Sequence, residues 1–137
     1  MPAFSQAICV SFEPRNSTWS SEIGVIAETA GDGKTLVMGA RKSGDNELGS
    51  VLVYRINEET GDWEQLGDTI FGSQGDIEND NLEETFFNHF GQAVAINGDG
   101  TRIAASARGN DIEGSDRGEV TVFKYNGEGW EKLGQSI

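Results

Sequence analysis

The feature that most constrains this chain is that it repeats itself. Thr18–Arg41 lies over Thr85–Arg108 at a spacing of 67 positions: Gly24 falls on Gly91, Gly31-Asp32-Gly33 on Gly98-Asp99-Gly100, Leu36 on Ile103 and Ala40-Arg41 on Ala107-Arg108. Two extra residues precede Gly118, the counterpart of Gly49, and Val51-Leu52-Val53-Tyr54 then matches Val120-Thr121-Val122-Phe123. The first unit's next loop is longer by two, which restores the spacing, so Trp63-Glu64-Gln65-Leu66-Gly67 matches Trp130-Glu131-Lys132-Leu133-Gly134 and Ile70 matches Ile137. Both differences fall in polar, glycine-rich loops, where insertions disturb a fold least. The chain therefore divides into two tandem units, 4–70 and 71–137, of about 67 residues each. A repeat of this length is one supersecondary unit that buries its faces on its neighbours.

Each unit reads as four strands. In the first they are Ile23–Thr29, Lys34–Ala40, Ser50–Ile56 and Asp62–Leu66, and in the second Phe90–Ile96, Arg102–Ala107, Glu119–Tyr125 and Gly129–Leu133; Ala7–Phe12 reads as an additional strand. Asn97-Gly98-Asp99-Gly100 and Asn126-Gly127 are hairpin turn signals, and the 19 glycines supply the positive φ that such turns need. No stretch has helical periodicity over a useful length. The third strands carry apolar residues on both faces, Val51 and Val53 on one and Leu52, Tyr54 and Ile56 on the other, which predicts cover on both sides. The second strands end in small residues, Met38-Gly39-Ala40 and Ala104-Ala105-Ser106-Ala107, suited to a place where sheets crowd together. The expected fold is all-β, with two tandem four-stranded antiparallel units resembling β-propeller blades; a β-sandwich or a β-solenoid is the alternative.

Composition narrows the function classes. With 23 acidic against 10 basic residues the net charge is −13, which repels nucleic acid and anionic lipid and favours solubility, cations and basic partners. No segment is long and apolar enough for membrane insertion as a helix. The single cysteine, Cys9, excludes an intrachain disulfide, and the single histidine, His89, excludes a two-histidine metal site. The first residues lack the basic and apolar regions of a signal peptide, an expectation that leaves either an intracellular protein or a piece of a longer one.

Phe90-Gly91, an alternating strand, Gly98-Asp99-Gly100-Thr101 and a strand ending in small residues before a Gly/Asn/Asp loop together resemble the FG-GAP-type β-propeller repeats. The Gly118–Tyr125 strand and the Trp-x-x-Leu-Gly segment are similar to the divergent branch found in large surface proteins. The chain departs from the pattern where Gly-Ala-Pro becomes Ser106-Ala107-Arg108, and Gly39-Ala40-Arg41 in the first unit. The resemblance implies a propeller scaffold for adhesion or ligand binding, extracellular or at the cell surface, and often stabilised by calcium. Closed propellers have typically four to eight blades, so two units leave faces uncovered. The expected partners are further copies in a homo-oligomer, or further blades of a longer chain, with an open filament if the contacts do not close.

Candidate sites are few. Asp76, Glu78, Asp80 and Glu84 stand at relative positions 1, 3, 5 and 9, a spacing of oxygen ligands suited to calcium, with Asn81 where such loops usually place glycine. Trp63 and Trp130 are equivalent positions that could stack on sugar rings, or pack between sheets. Asn16-Ser17-Thr18 is a glycosylation sequon, relevant only to a secreted chain. No nucleophile motif accompanies His89, and Gly-Asp-Gly lacks the Lys and Ser/Thr of a phosphate loop. The residues therefore predict no enzyme. They predict a structural, self-assembling or adhesive scaffold acting through exposed blade faces. The alternatives are a calcium-dependent module for a glycan or protein ligand, and a fragment of a larger surface propeller protein.

Overall fold

The computed structural model describes residues 26–43, 48–72, 89–108 and 118–137. These residues form nine strands and no helix: β1 (Ile26–Thr29), β2 (Thr35–Ala40), β3 (Ser50–Ile56), β4 (Trp63–Gln65), β5 (Ile70–Phe71), β6 (Phe90–Ile96), β7 (Arg102–Ala107), β8 (Glu119–Tyr125) and β9 (Trp130–Lys132). Two antiparallel sheets result. The first runs β1-β2-β3-β4, with β5 also on β3, and the second runs β6-β7-β8-β9. They stack face to face as blade-like layers and do not close into a ring. The expected strands are thus present within a residue at their ends, except that the first is described only from Ile26; residues 23–25 and the additional strand expected at Ala7–Phe12 lie outside the described residues.

The hairpin turns do what their sequences predict. In the first unit Ala30 N–H bonds the Thr35 carbonyl at 2.8 Å, and in the second Asn97 N–H bonds the Arg102 carbonyl at 3.0 Å. Gly33 and Gly100 occupy the same place in these two turns, with φ of 70° and 72°, a left-handed conformation open to glycine at little cost. The strand β5 is new relative to the sequence reading. Its Ile70 pairs with Val51 and Phe71 with Ser50, so the edge of β3 is lined first by β4 and then, after a break at Leu66–Thr69, by β5. The second unit repeats this without a formal strand, because Val120 and Ile137 exchange two backbone hydrogen bonds, at 2.9 and 3.0 Å.

Strand alternation gives each sheet two faces. On the first sheet Val37, Val51 and Val53 look toward the second sheet, where Phe90, Val94, Ile103, Ala105 and Ala107 meet them in one core. The opposite face of the first sheet, Leu36, Met38, Ala40, Leu52 and Tyr54, forms a second buried cluster against which Trp63 packs. Val51 and Val53 are 0% and 1% exposed and Leu52 and Tyr54 are each 7% exposed, so β3 is covered on both sides as its composition predicts.

Strand β8 departs from that expectation. Thr121 is buried and Phe123 packs on the core, but Val120 on the other face is 40% exposed and Val122 is half-buried. The first sheet covers only one face of the second. The expectation that both ends of the pair would be bare is corrected in the same way. Of the two outward faces, that of the first sheet is buried and that of the second is open.

A charge placed on these two strands separates the two situations. Val53→Asp should abolish cooperative unfolding, because an unpaired buried charge costs about 3–5 kcal/mol against a total margin of about 5–15. Val122→Asp should fold and melt close to the wild type, since its side chain can reach water. Thermal or urea unfolding of the two variants checks this, and a Val122→Asp chain that fails to fold would show that this face is covered after all.

Candidate blade-docking face

The sheet–sheet contact is the best-defined working surface in the molecule, and it begins with backbone touching backbone. A Cβ on Gly39 would lie 1.9 Å from the carbonyl oxygen of Gly91, and one on Gly49 would lie 2.0 Å from that of Phe90. Only glycine lets β2 and the start of β6 cross at this depth. The Phe90-Gly91 step is set by a tight bend: His89 has φ 52°, Gly91 has φ 85°, and the β6–β7 pairing is irregular between Phe90 and Val94. Phe90 then donates its N–H to the Leu48 carbonyl at 3.0 Å and bridges Gly49 in parallel. Its ring meets Phe123 edge to face at 6.1 Å and 76°, the arrangement aromatic quadrupoles prefer.

Polar bonds fix the register of the two sheets at either end. At the turns, Asp32 N–H bonds the Gly98 carbonyl at 2.9 Å. Arg55, held within the first sheet by its bond to Thr35 Oγ1 at 3.1 Å, donates across to the Asp99 carbonyl at 3.3 Å. At the outer edge the Trp130 indole Nε1 donates to the Leu66 carbonyl at 2.8 Å, and the ring lies so close to Gly67 that a Cβ there would meet Trp130 Cδ1 at 2.9 Å. The Trp-Glu-x-Leu-Gly segment is therefore a two-part connector. Its tryptophan reaches the neighbouring sheet, and its Leu-Gly receives the neighbour's tryptophan.

The turn that meets Arg55 is itself held by Asp99. The Thr101 hydroxyl and N–H, and then Asn97 Nδ2 at 2.8 Å, donate to its carboxylate, and these bonds hold that carboxyl below the usual range. A lowered carboxyl pKa contributes stability above the ordinary carboxylate value, and that contribution disappears as pH falls through the lowered one.

The sequence candidates fall as follows. Trp130 is half-buried at the sheet–sheet contact, and Trp63 packs against the buried outer cluster of the first sheet. Asp76, Glu78, Asp80, Glu84 and Asn16 lie outside the described residues, and among the described residues no group of three or more His, Cys, Asp or Glu side chains could hold a metal. Sequence reasoning placed Gly39 where sheets crowd but gave no role to Leu66, Leu133 and Ile137, although all three stand in the matched segments of the repeat. The signal was the return of Leu-Gly three positions after each tryptophan.

Three outcomes follow for this contact. Gly39→Ala should cost about 3 kcal/mol, at the upper end for overpacking because both clashing partners are backbone. Trp130→Phe keeps an aromatic side chain but drops the indole's bond to Leu66, and should cost about 1 kcal/mol or more. Denaturant titration reads both, and a neutral Gly39→Ala would mean the sheets do not cross this closely. Asp99→Asn should lose less stability than the wild type when melted below about pH 4, where the unfolded parent chain takes up a proton that the folded Asp99 carboxylate resists.

Residues 85–123, which include β6, β7 and most of β8, match the family model described as FG-GAP repeat. No curated protein shows a significant match to the chain. The matched stretch holds the Phe90-Gly91 step and the Gly98–Thr101 turn, the two elements that dock the second sheet on the first. Through this second unit the chain is similar to the FG-GAP-type repeat family.

Proposed function

We propose that this chain is a non-enzymatic structural scaffold, built from propeller-type blades, that assembles through an exposed blade face. One observation carries the reading. Among the described residues the large apolar side chains left exposed are Phe71, Val120, Leu133 and Ile137. The last three belong to the open side of the second sheet, and they are 40%, 44% and 89% exposed. Large apolar residues gathered on one face of a sheet mark an interaction surface. The acidic net charge of −13 keeps the remainder soluble and leaves this face as the adhesive part. FG-GAP repeats are in general non-enzymatic, which agrees with a surface built for packing.

The test is the mass of the chain in solution across a concentration series, with Val120→Asp/Leu133→Asp as the comparison. The wild type should gain mass with concentration, as bare faces pair for want of their own partner, whereas the double variant should stay monomeric with its melting point unchanged. A wild type that is monomeric at every concentration reached, or a double variant that unfolds, would contradict the reading.

A further inference from the structure

Two hairpins among the described residues turn on an Asn-Gly step: Asn97-Gly98 between β6 and β7, and Asn126-Gly127 between β8 and β9. An asparagine followed by glycine can close on itself, because no side chain keeps the glycine nitrogen from the amide carbon. We propose that Asn126-Gly127 is a self-modification site, where the folded chain converts its own asparagine to isoaspartate and aspartate and thereby loosens the Trp130 connector.

The reaction consumes only water. Hydroxide takes the proton from the Gly127 nitrogen, which attacks Asn126 Cγ and places the negative charge on Oδ1. As that charge returns to carbon, the Cγ–Nδ2 bond breaks. Nδ2 leaves as ammonia with a proton from water, which restores the hydroxide. Water then opens the cyclic imide at either carbonyl. Opening at Cγ gives aspartate, and opening at the main-chain carbonyl gives isoaspartate.

The hairpin is set up for this step. Asn126 Oδ1 accepts the N–H groups of Glu128 and Gly129, each at 2.9 Å. Two fixed donors on the oxygen where charge develops act as an oxyanion hole does. The amide is kept in this orientation because Nδ2 donates to Glu131. Gly127 has φ 103°, and a Cβ there would meet nothing within 4 Å, so the attacking residue has room to rotate. Among the described residues no acceptor takes the Gly127 N–H. Asn126, Gly127 and Glu128 are all exposed, which admits hydroxide and water.

The other asparagines of the described residues each lack part of this arrangement. Asn57 is capped in the same way, with Oδ1 accepting the Glu59 and Thr60 N–H groups and Nδ2 bonded to Glu64, but Glu58 follows it and its side chain obstructs the attack. Asn97 is followed by glycine, but its Oδ1 accepts one N–H, that of Arg102. Gly98 is also pinned at the sheet–sheet contact. Its carbonyl takes the Asp32 N–H, and its Cα lies 3.3 Å from where a Cβ on Gly31 would stand. Closing the imide at Asn97 would have to disturb that contact.

The product changes the hairpin that carries Trp130. Isoaspartate lengthens the main chain by a methylene inside the turn. Either product replaces the Nδ2 donor with a carboxylate beside Glu131. Tyr125 and Trp130 flank the turn, paired across it and with ring centroids 5.3 Å apart, and Trp130 Nε1 bonds the Leu66 carbonyl of the other sheet. A longer turn shifts Trp130 from both partners.

The test ages the full chain in mildly alkaline buffer and digests it with trypsin, which releases Tyr125–Lys132 with Asn126 as its sole asparagine. That peptide should gain the mass of an acid over an amide and become a substrate for isoaspartyl carboxyl methylation, at about ten times the rate of Asn97 or more, a modest share of what a preorganised donor supplies in an enzyme. The same eight residues as a free synthetic peptide, without the held donors, should convert more slowly than the folded chain. The aged fraction, separated by its added charge, should melt roughly 3 °C or more below the fresh chain. Trp130→Phe, which already lacks the bond to Leu66, should show a smaller drop on ageing. A free peptide that converts faster than the folded chain, or equal conversion at Asn97, would overturn the proposed site. An aged fraction that melts with the fresh chain, or an equal drop in Trp130→Phe, would overturn its link to the connector.

Discussion

The two sheets hold together because a stretch of backbone in one is allowed to touch a stretch of backbone in the other. Gly39 and Gly91 meet without side chains between them. Everything larger is arranged around that approach. Phe90 enters beside Gly49, the valines of β2 and β3 reach Ile103 and Ala105, and Trp130 comes near enough to bond the Leu66 carbonyl. A side chain at either glycine would separate the layers and leave these apolar residues with gaps, forfeiting the dispersion contacts on which close packing depends. Small residues in β2 and β7 are thus a condition for stacking and not a weakness in the strands.

Stacking of this kind has a direction. The face of the first sheet that receives and the face of the second that docks differ in composition, so the contact between the two sheets is heterologous. In this chain the first sheet's outward face is buried and the second sheet's outward face is open. That asymmetry distinguishes the two outward faces among the described residues. An apolar, half-exposed β8 is a liability for a lone domain, and the proposed scaffold role rests on it.

Much of this was legible in the amino-acid sequence, for identifiable reasons. The strands and turns followed from alternation and from Asn-Gly and Asp-Gly pairs, which act locally. The crowding at Met38-Gly39-Ala40 followed from residue size. The covered state of β3 was legible because Val51, Leu52, Val53 and Tyr54 leave neither face polar, yet the same inference failed for β8, where Val120 and Val122 are just as apolar. Composition states what a face can tolerate, and only the neighbouring layer decides whether it is covered. The tryptophan pair was visible as a repeat, but its use was not, because the Leu66 carbonyl that Trp130 bonds lies 64 positions away in the chain. The small strand β5 escaped notice because two residues carry no periodicity.

The account stands on the crossing of β2 and β6, and proton–proton Overhauser contacts in solution read it most directly. It predicts cross-sheet contacts between the α-protons of Gly39 and Gly91, and between the Trp130 indole ring and the α-protons of Gly67, alongside the ordinary cross-strand contacts of each sheet. Two intact sheets without those cross-sheet contacts would show that the layers do not stack as described.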